Sequence, residues 1–176
     1  MHVAWEDELG ELARERGPAL VGYAYLLTGD LHAAQDLVQE GLVRTFSRRR
    51  SGGDVAWLEA YVRRAILHTY LNAYRSSRRW SGVVHLLADN PGERAPDAVA
   101  ADRADVHAAL GRLSPRERAC IVLRHFEDLT VPEIADRLAL SEGAVKRYLA
   151  DARGRLGPLL GEDGPREIVT IERTQR

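Results

Sequence analysis

Between residues 41 and 80 nine arginines stand against two carboxylates, and aromatic rings are interleaved with them. Arg63, Arg64, Arg75, Arg78 and Arg79 can each neutralise a phosphate. Trp57, Tyr61, Tyr70, Tyr74 and Trp80 offer flat faces on which bases stack, although some rings at helical spacing must build a core, and Trp57 and Tyr61 are expected there. Residues 1–40 carry the opposite balance, two arginines against eight carboxylates. The net charge of −1 therefore hides two surfaces of opposite sign, one of them suited to a polyanion.

A second constellation lies near the other end. Ile134, Ala135 and Leu138 form the inward side of a short helix, and Ala139-Leu140-Ser141 is a tight connection. A longer helix then opens on Glu142-Gly143-Ala144-Val145-Lys146-Arg147, with Val145, Tyr148 or Leu149, Ala152 and Leu156 as its buried stripe. Short helix, three-residue turn and amphipathic second helix make a helix-turn-helix. Such a unit can present Ser141, Glu142, Lys146 and Arg147 to base edges in a major groove.

The elements that must position these residues are all helical. One stripe contains Ala34, Leu37, Val38, Gly41, Leu42 and Thr45; another contains Leu58, Tyr61, Val62, Ala65, Thr69 and Tyr70. Gly17-Pro18 is expected to break or kink the first helix, because proline lacks an N–H and disfavours a helical residue before it. Thr28-Gly29-Asp30 reads as a stop followed by a start, and so does Ser51-Gly52-Gly53-Asp54. Val106, Ala109, Leu110 and Leu113 line a further short helix. Ser114-Pro115-Arg116-Glu117 and Thr130-Val131-Pro132-Glu133 are capping boxes with proline in the first turn. The fold class is all-α: two small helical domains, 6–80 and 104–160, joined by a flexible linker at 81–103 rich in breakers (Asn90-Pro91-Gly92), with a loose tail at 161–176.

Several functions are disfavoured. Cys120 is the only cysteine, so an internal disulfide or cysteine cluster is excluded, and it reads as a small core residue. The six histidines are scattered without metal-site spacing, and neither a phosphate-binding glycine loop nor a nucleophile elbow is present. The expectation is a non-enzymatic protein without cofactor or metal. No apolar run approaches the roughly 20 residues of a membrane span, and no signal peptide is evident, so a cytoplasmic location without membrane insertion is expected.

The motifs together have a family likeness. Leu113-Ser114-Pro115-Arg116-Glu117-Arg118, Val122 to Thr130, Glu133-Ile134-Ala135 and Ser141 to Lys146 closely resemble region 4 of extracytoplasmic-function sigma factors. Ala24 to Asp30, Gln35-Asp36-Leu37-Val38-Gln39-Glu40 and Trp57-Leu58 resemble their region 2. Lys146 is the sole lysine among many arginines, in keeping with a GC-rich, actinobacterial-like source.

The resemblance implies a subunit that binds core RNA polymerase and directs it to promoters. By that likeness Asp36, Leu37, Val38, Gln39 and Glu40 would dock on the clamp coiled coil, and the second domain would meet the flap. Arg63, Arg64, His68, Asn72, Arg75, Arg78 and Arg79 would hold the melted −10 strand, with the Ser51-Gly52-Gly53 loop taking an unstacked base. Ser141, Glu142, Ala144, Lys146 and Arg147 would meet the −35 element. An anti-sigma factor is a further implied partner. The chain departs from the family at His68, where asparagine is usual, and at Ala144, Arg147 and Asp151. Those changes prevent transfer of a known promoter sequence. The other reading is a helix-turn-helix regulator with an unrelated sensory N-terminal domain.

Overall fold

The computed structural model describes residues 3–47, 55–80 and 106–160. The expected base-capturing loop, linker and tail lie outside them. Among the described residues every regular element is a helix, and the chain divides into two compact units, Met1–His107 and Ala108–Arg176.

In the first unit α1 (Val3–Thr28), α2 (Leu31–Ser47) and α3 (Val55–Trp80) each pack against the other two. Leu12, Leu20, Tyr23 and Leu27 of α1 are fully buried, as are Ala34 and Thr45 of α2 and Leu58, Val62 and Ile66 of α3. Gly41 lets α2 approach α3 closely. A Cβ at this position would lie 2.9 Å from Ile66 Cγ1, nearer than side-chain carbons tolerate. Between α1 and α2, Gly29 takes a left-handed φ of 73° and its N–H donates to Tyr25 O at 2.8 Å. Asp30 then caps α2, its Oδ1 accepting from the Ala33 N–H at 2.7 Å.

Two expectations fail here. Helix α1 continues through Pro18 instead of breaking. An interior proline costs about 3 kcal/mol, but Leu12 before it and Leu20 after it are both fully buried. Burying such side chains gives about 1.5–3 kcal/mol each, so tertiary packing carries the helix across. The core stripe of α3 is also rotated from the expected one. It runs through Leu58, Val62, Ile66, Leu67 and Thr69, while Trp57 and Tyr61 are 49% and 39% exposed.

A further helix, α4, whose described part spans 106–111, runs across the division of the chain after His107. Ala109, Leu110 and, just beyond the helix, Leu113 are buried, whereas Val106 is exposed rather than lining the core. Helices α5 (Pro115–His125), α6 (Val131–Leu138) and α7 (Glu142–Leu160) follow. Ala119, Cys120, Leu123, Ile134, Val145 and Ala152 are fully buried among them. Burial pushes the Cys120 thiol up to about 11, which suits a core residue and no nucleophile.

Polar clasps tie these shorter helices together. In the first capping box Ser114 Oγ accepts from the Glu117 N–H at 3.4 Å and Glu117 Oε2 accepts from the Ser114 N–H at 2.8 Å. The same Oε2 also accepts from Arg155 of α7 at 2.8 Å. In the second, the Thr130 N–H and hydroxyl both donate to Glu133 Oε2, at 2.7 and 2.6 Å. Those two bonds hold the Glu133 carboxyl below its usual range. Arg124 donates to Leu129 O at 2.9 Å, and Arg137 pairs with Glu127 at 2.9 Å.

Candidate nucleic-acid interfaces and docking face

The helix-turn-helix is α6, its connection and α7. Helix α6 ends at Ala139, which adopts a left-handed conformation with φ 51° and ψ 51°. The Leu140 N–H then reaches back to Ala135 O at 2.9 Å. This closure resembles the glycine-terminated motif but uses an alanine. Ser141 restarts the chain as a cap, its Oγ accepting from the Ala144 N–H at 3.2 Å. Ser141 therefore shapes the start of α7 as well as standing near any bound DNA.

The first turns of α7 face outward. Glu142, Lys146 and Arg147 are exposed, Ala144 is half-buried and Val145 points into the core. Lys146 pairs loosely with Glu142, at 3.8 Å and one turn away. The Arg147 guanidinium lies 5.5 Å from the Tyr148 ring centroid, a cation–π contact that restricts its swing. Further along, Asp151 is exposed on the same helix. Burial, and then the cations Arg124 and Arg153, push the His125 imidazole, at the end of α5, below its usual pKa.

In the first unit α3 carries the basic and aromatic residues. Trp57, Tyr61, Arg64, His68 and Arg75 are all exposed, and Asn72 is half-buried. Their steps of four, three, four, four and three residues keep them on one side of the helix over about 27 Å. The Trp57 and Tyr61 rings stack, with centroids 5.5 Å apart and planes 21° from parallel. His68 and Asn72 touch, Asn72 Nδ2 lying 3.0 Å from His68 Nδ1. The side chains of Arg78 and Arg79 lie outside the described residues.

Arg63 is the exception. Its side chain is 20% exposed and paired with Glu59, whose other oxygen meets Arg16 of α1 at 3.4 Å. Its guanidinium also sits 5.5 Å from the Tyr23 ring centroid. Arg63 is thus bound into the bundle, unlike its neighbour Arg64.

On α2 the expected acidic face exists in part. Asp36, Gln39 and Glu40 are exposed and Leu37 is half-buried, but Val38 is only 6% exposed and belongs to the core. Glu40 pairs with Arg44 at 2.7 Å. Beside this face Ala33, Leu37, Tyr70 and Ala73, with Asp36 and Glu40, line an open hollow. Val43, 67% exposed and one turn beyond Gln39, extends the face with an apolar side chain that helical periodicity alone did not single out.

Comparison with known proteins gives these faces a context. Residues 12–80 match the family model for sigma-70 region 2, and residues 103–156 match that for sigma-70 region 4. The RNA polymerase sigma-E factor of Streptomyces avermitilis is 34% identical over 96% of this chain and 93% of its own length. The chain belongs to the extracytoplasmic-function sigma factors of the sigma-70 family. The ECF sigma factor SigL of Mycobacterium tuberculosis is also 34% identical, over 77% of this chain and 78% of its own. Among solved structures, the sigma factor RpoE of Bartonella quintana, crystallised with the anti-sigma factor NepR, matches with a TM-score of 0.53. Identity there is 25%, over 89% of this chain and 96% of that one. The region 2 match removes the reading in which an unrelated sensory domain precedes the helix-turn-helix.

Proposed function

We propose that three outward faces of this sigma factor divide the work of promoter-directed initiation. The acidic side of α2, with Asp36, Gln39 and Glu40 flanked by Leu37 and Val43, docks on a basic coiled coil of core RNA polymerase. The outward side of α3 holds the melted −10 strand: Trp57 and Tyr61 stack on bases, Arg64, Arg75, Arg78 and Arg79 neutralise phosphates, and His68 and Asn72 read an edge. The opening turns of α7 enter the major groove at the −35 element, with Ser141, Glu142 and Ala144 alongside Lys146 and Arg147. The second unit also meets the polymerase flap. An anti-sigma factor would act by covering one of these faces.

The observation that carries this reading is the register of α3. Its core stripe is satisfied by Leu58, Val62, Ile66 and Thr69, so two large aromatics, two cations and a polar pair are left on the solvent side. Exposing Trp57 and Tyr61 has a hydrophobic cost that stacking on bases would offset. The role is that of a binding subunit, without catalysis, and it would be carried out in the cytoplasm. No helix among the described residues is long and apolar enough to cross a membrane.

The test is transcription by purified core polymerase and this chain on a promoter library randomised at both elements. Asp36→Lys with Glu40→Lys should weaken core binding while −35 DNA binding by the chain persists. Arg147→Ala should relax one or two adjacent −35 positions, and Lys146→Ala should lower affinity for all sequences about equally. Normal core binding by the double reversal would remove the docking face. An unchanged −35 preference in Arg147→Ala would remove that residue's base-reading role.

A further inference from the structure

We infer that Glu142 and Asp151 are specificity-determining residues, which sharpen discrimination among −35 sequences by weakening the sequence-blind hold of α7 on phosphates. The inference rests on the −35 assignment of α7 made above and gives its carboxylates a role of their own. From Glu142 to Asp151 the outward side of α7 carries four charges, set in two rows. Glu142 and Lys146 stand four residues apart in one row, and Arg147 and Asp151 stand four apart in the other. All four residues are exposed, and Lys146 Nζ lies 3.8 Å from the Glu142 carboxylate. Arg147 rests near the Tyr148 ring, so the Asp151 carboxylate is left facing solvent one turn further along. Gly143 and Ala150, also exposed, add no charge. The sum is zero. On α3, by contrast, Arg64 and Arg75 are exposed while Glu59 is taken up by Arg16 and Arg63.

A reading helix without net charge behaves differently at right and wrong sequences. A complex at a wrong sequence is held by cation–phosphate contacts, which tolerate many positions along the duplex. Against the backbone each carboxylate repels phosphates and competes for the cation one turn away, so these tolerant complexes lose attraction. Seated in the major groove, the same side chains meet base edges. There the amino groups of cytosine and adenine donate to acceptors, and guanine accepts from arginine. The penalty therefore falls hardest on wrong sequences, and repulsion adds to the discrimination that base contacts supply.

The decisive experiment assembles the full chain with core polymerase on templates that share one −10 element and carry either the preferred or a scrambled −35 element. Asp151→Asn and Glu142→Gln remove charge and keep shape. Each should raise transcript output from scrambled templates by about two- to fivefold, with a smaller change on the preferred one. The ratio of preferred to scrambled output then falls, and the gap from the parent narrows as salt is added. A ratio that stays at the parental value in both variants would overturn the proposal. So would a loss on the preferred template with scrambled output unchanged, because that marks a carboxylate bonded directly to a base. Lys146→Ala combined with Arg147→Ala separates the two levels. If that variant keeps the parental −35 dependence, the α7 assignment fails and the inference fails with it. If it loses that dependence while the amide variants keep the parental ratio, only the inference falls. Thermal melting reports folding separately, and Asp151→Asn, at an exposed mid-helix position, should melt as the parent does.

Discussion

The two units are held together by different means. Helices α1 to α3 are long, and each contributes several turns of buried side chain, from Leu12, Leu20, Tyr23 and Leu27 through Ala34 and Thr45 to Leu58, Val62 and Ile66. Helices α5 and α6 have 11 and 8 residues, too few to be stable in isolation. There the ends are clasped by Glu117, Glu133, Arg124, Arg137 and Arg155. Length therefore decides which side chains are available for partners. The long bundle satisfies its core on one side of each helix and leaves the outer sides of α2 and α3 for binding. The short-helix unit uses much of its charge internally and leaves the opening turns of α7 exposed.

That contrast predicts that the first unit is sensitive to volume and the second to polar truncation. The largest effect should come from Ile66→Ala, which empties a fully buried site and should cost about 2–5 kcal/mol. Gly41→Val at the same contact should cost about 1–3 kcal/mol by overfilling it. Hydrogen exchange followed peptide by peptide should show both losses in α1–α3, with α5–α7 protected as before. Equal loss in both units would break the comparison.

Next in size is Glu117→Ala. It leaves the Ser114 N–H without its cap and removes the buried carboxylate that Arg155 meets, and should destabilise the second unit by about 1–3 kcal/mol. Arg16→Ala, which removes a half-exposed ion pair from the bundle, should cost no more than about 1 kcal/mol. A larger loss from Arg16→Ala than from Glu117→Ala, read as urea midpoints, would reverse the proposed division. Ala139→Gly should act in the opposite direction. It relieves a left-handed alanine and should stabilise the second unit by about 1 kcal/mol, raising its melting temperature.

The smallest effect concerns acid. The Glu133 carboxyl is held below its usual range by the Thr130 bonds, so its contribution is present above the unfolded-state pKa. It is lost as pH falls through the lower folded-state value. Glu133→Gln should flatten that part of the acid limb. A limb unchanged by the substitution would leave the clasp without weight.

Local features were the most legible from the sequence. Both capping boxes form because their partners lie three residues apart and need nothing from the rest of the fold. The helix-turn-helix and the fold class could be read for the same reason. Questions of sidedness were harder. Trp57 and Tyr61 share a helical stripe as regular as that of Leu58 and Val62, and periodicity does not say which stripe meets a neighbour. For Val38 the apolar stripe of α2 and the family likeness point opposite ways, and burial follows the stripe. Arg63 reads in the sequence as one more phosphate-binding arginine. Its pairing with Glu59 follows the familiar four-residue spacing, but its approach to Tyr23 needed tertiary knowledge. Pro18 misled because the helix penalty is local and the packing that overcomes it is not.

The placement of Cys120 has a consequence for studying the protein. Its thiol is the chain's only one, fully buried and shifted to about 11, so at neutral pH the reactive thiolate is suppressed. A cysteine introduced on an exposed site such as Ala60, beside the stacked rings, would react far faster with maleimide dyes. Fluorescent reporters can therefore be attached to the α3 face in the otherwise native sequence. The core thiol stays silent.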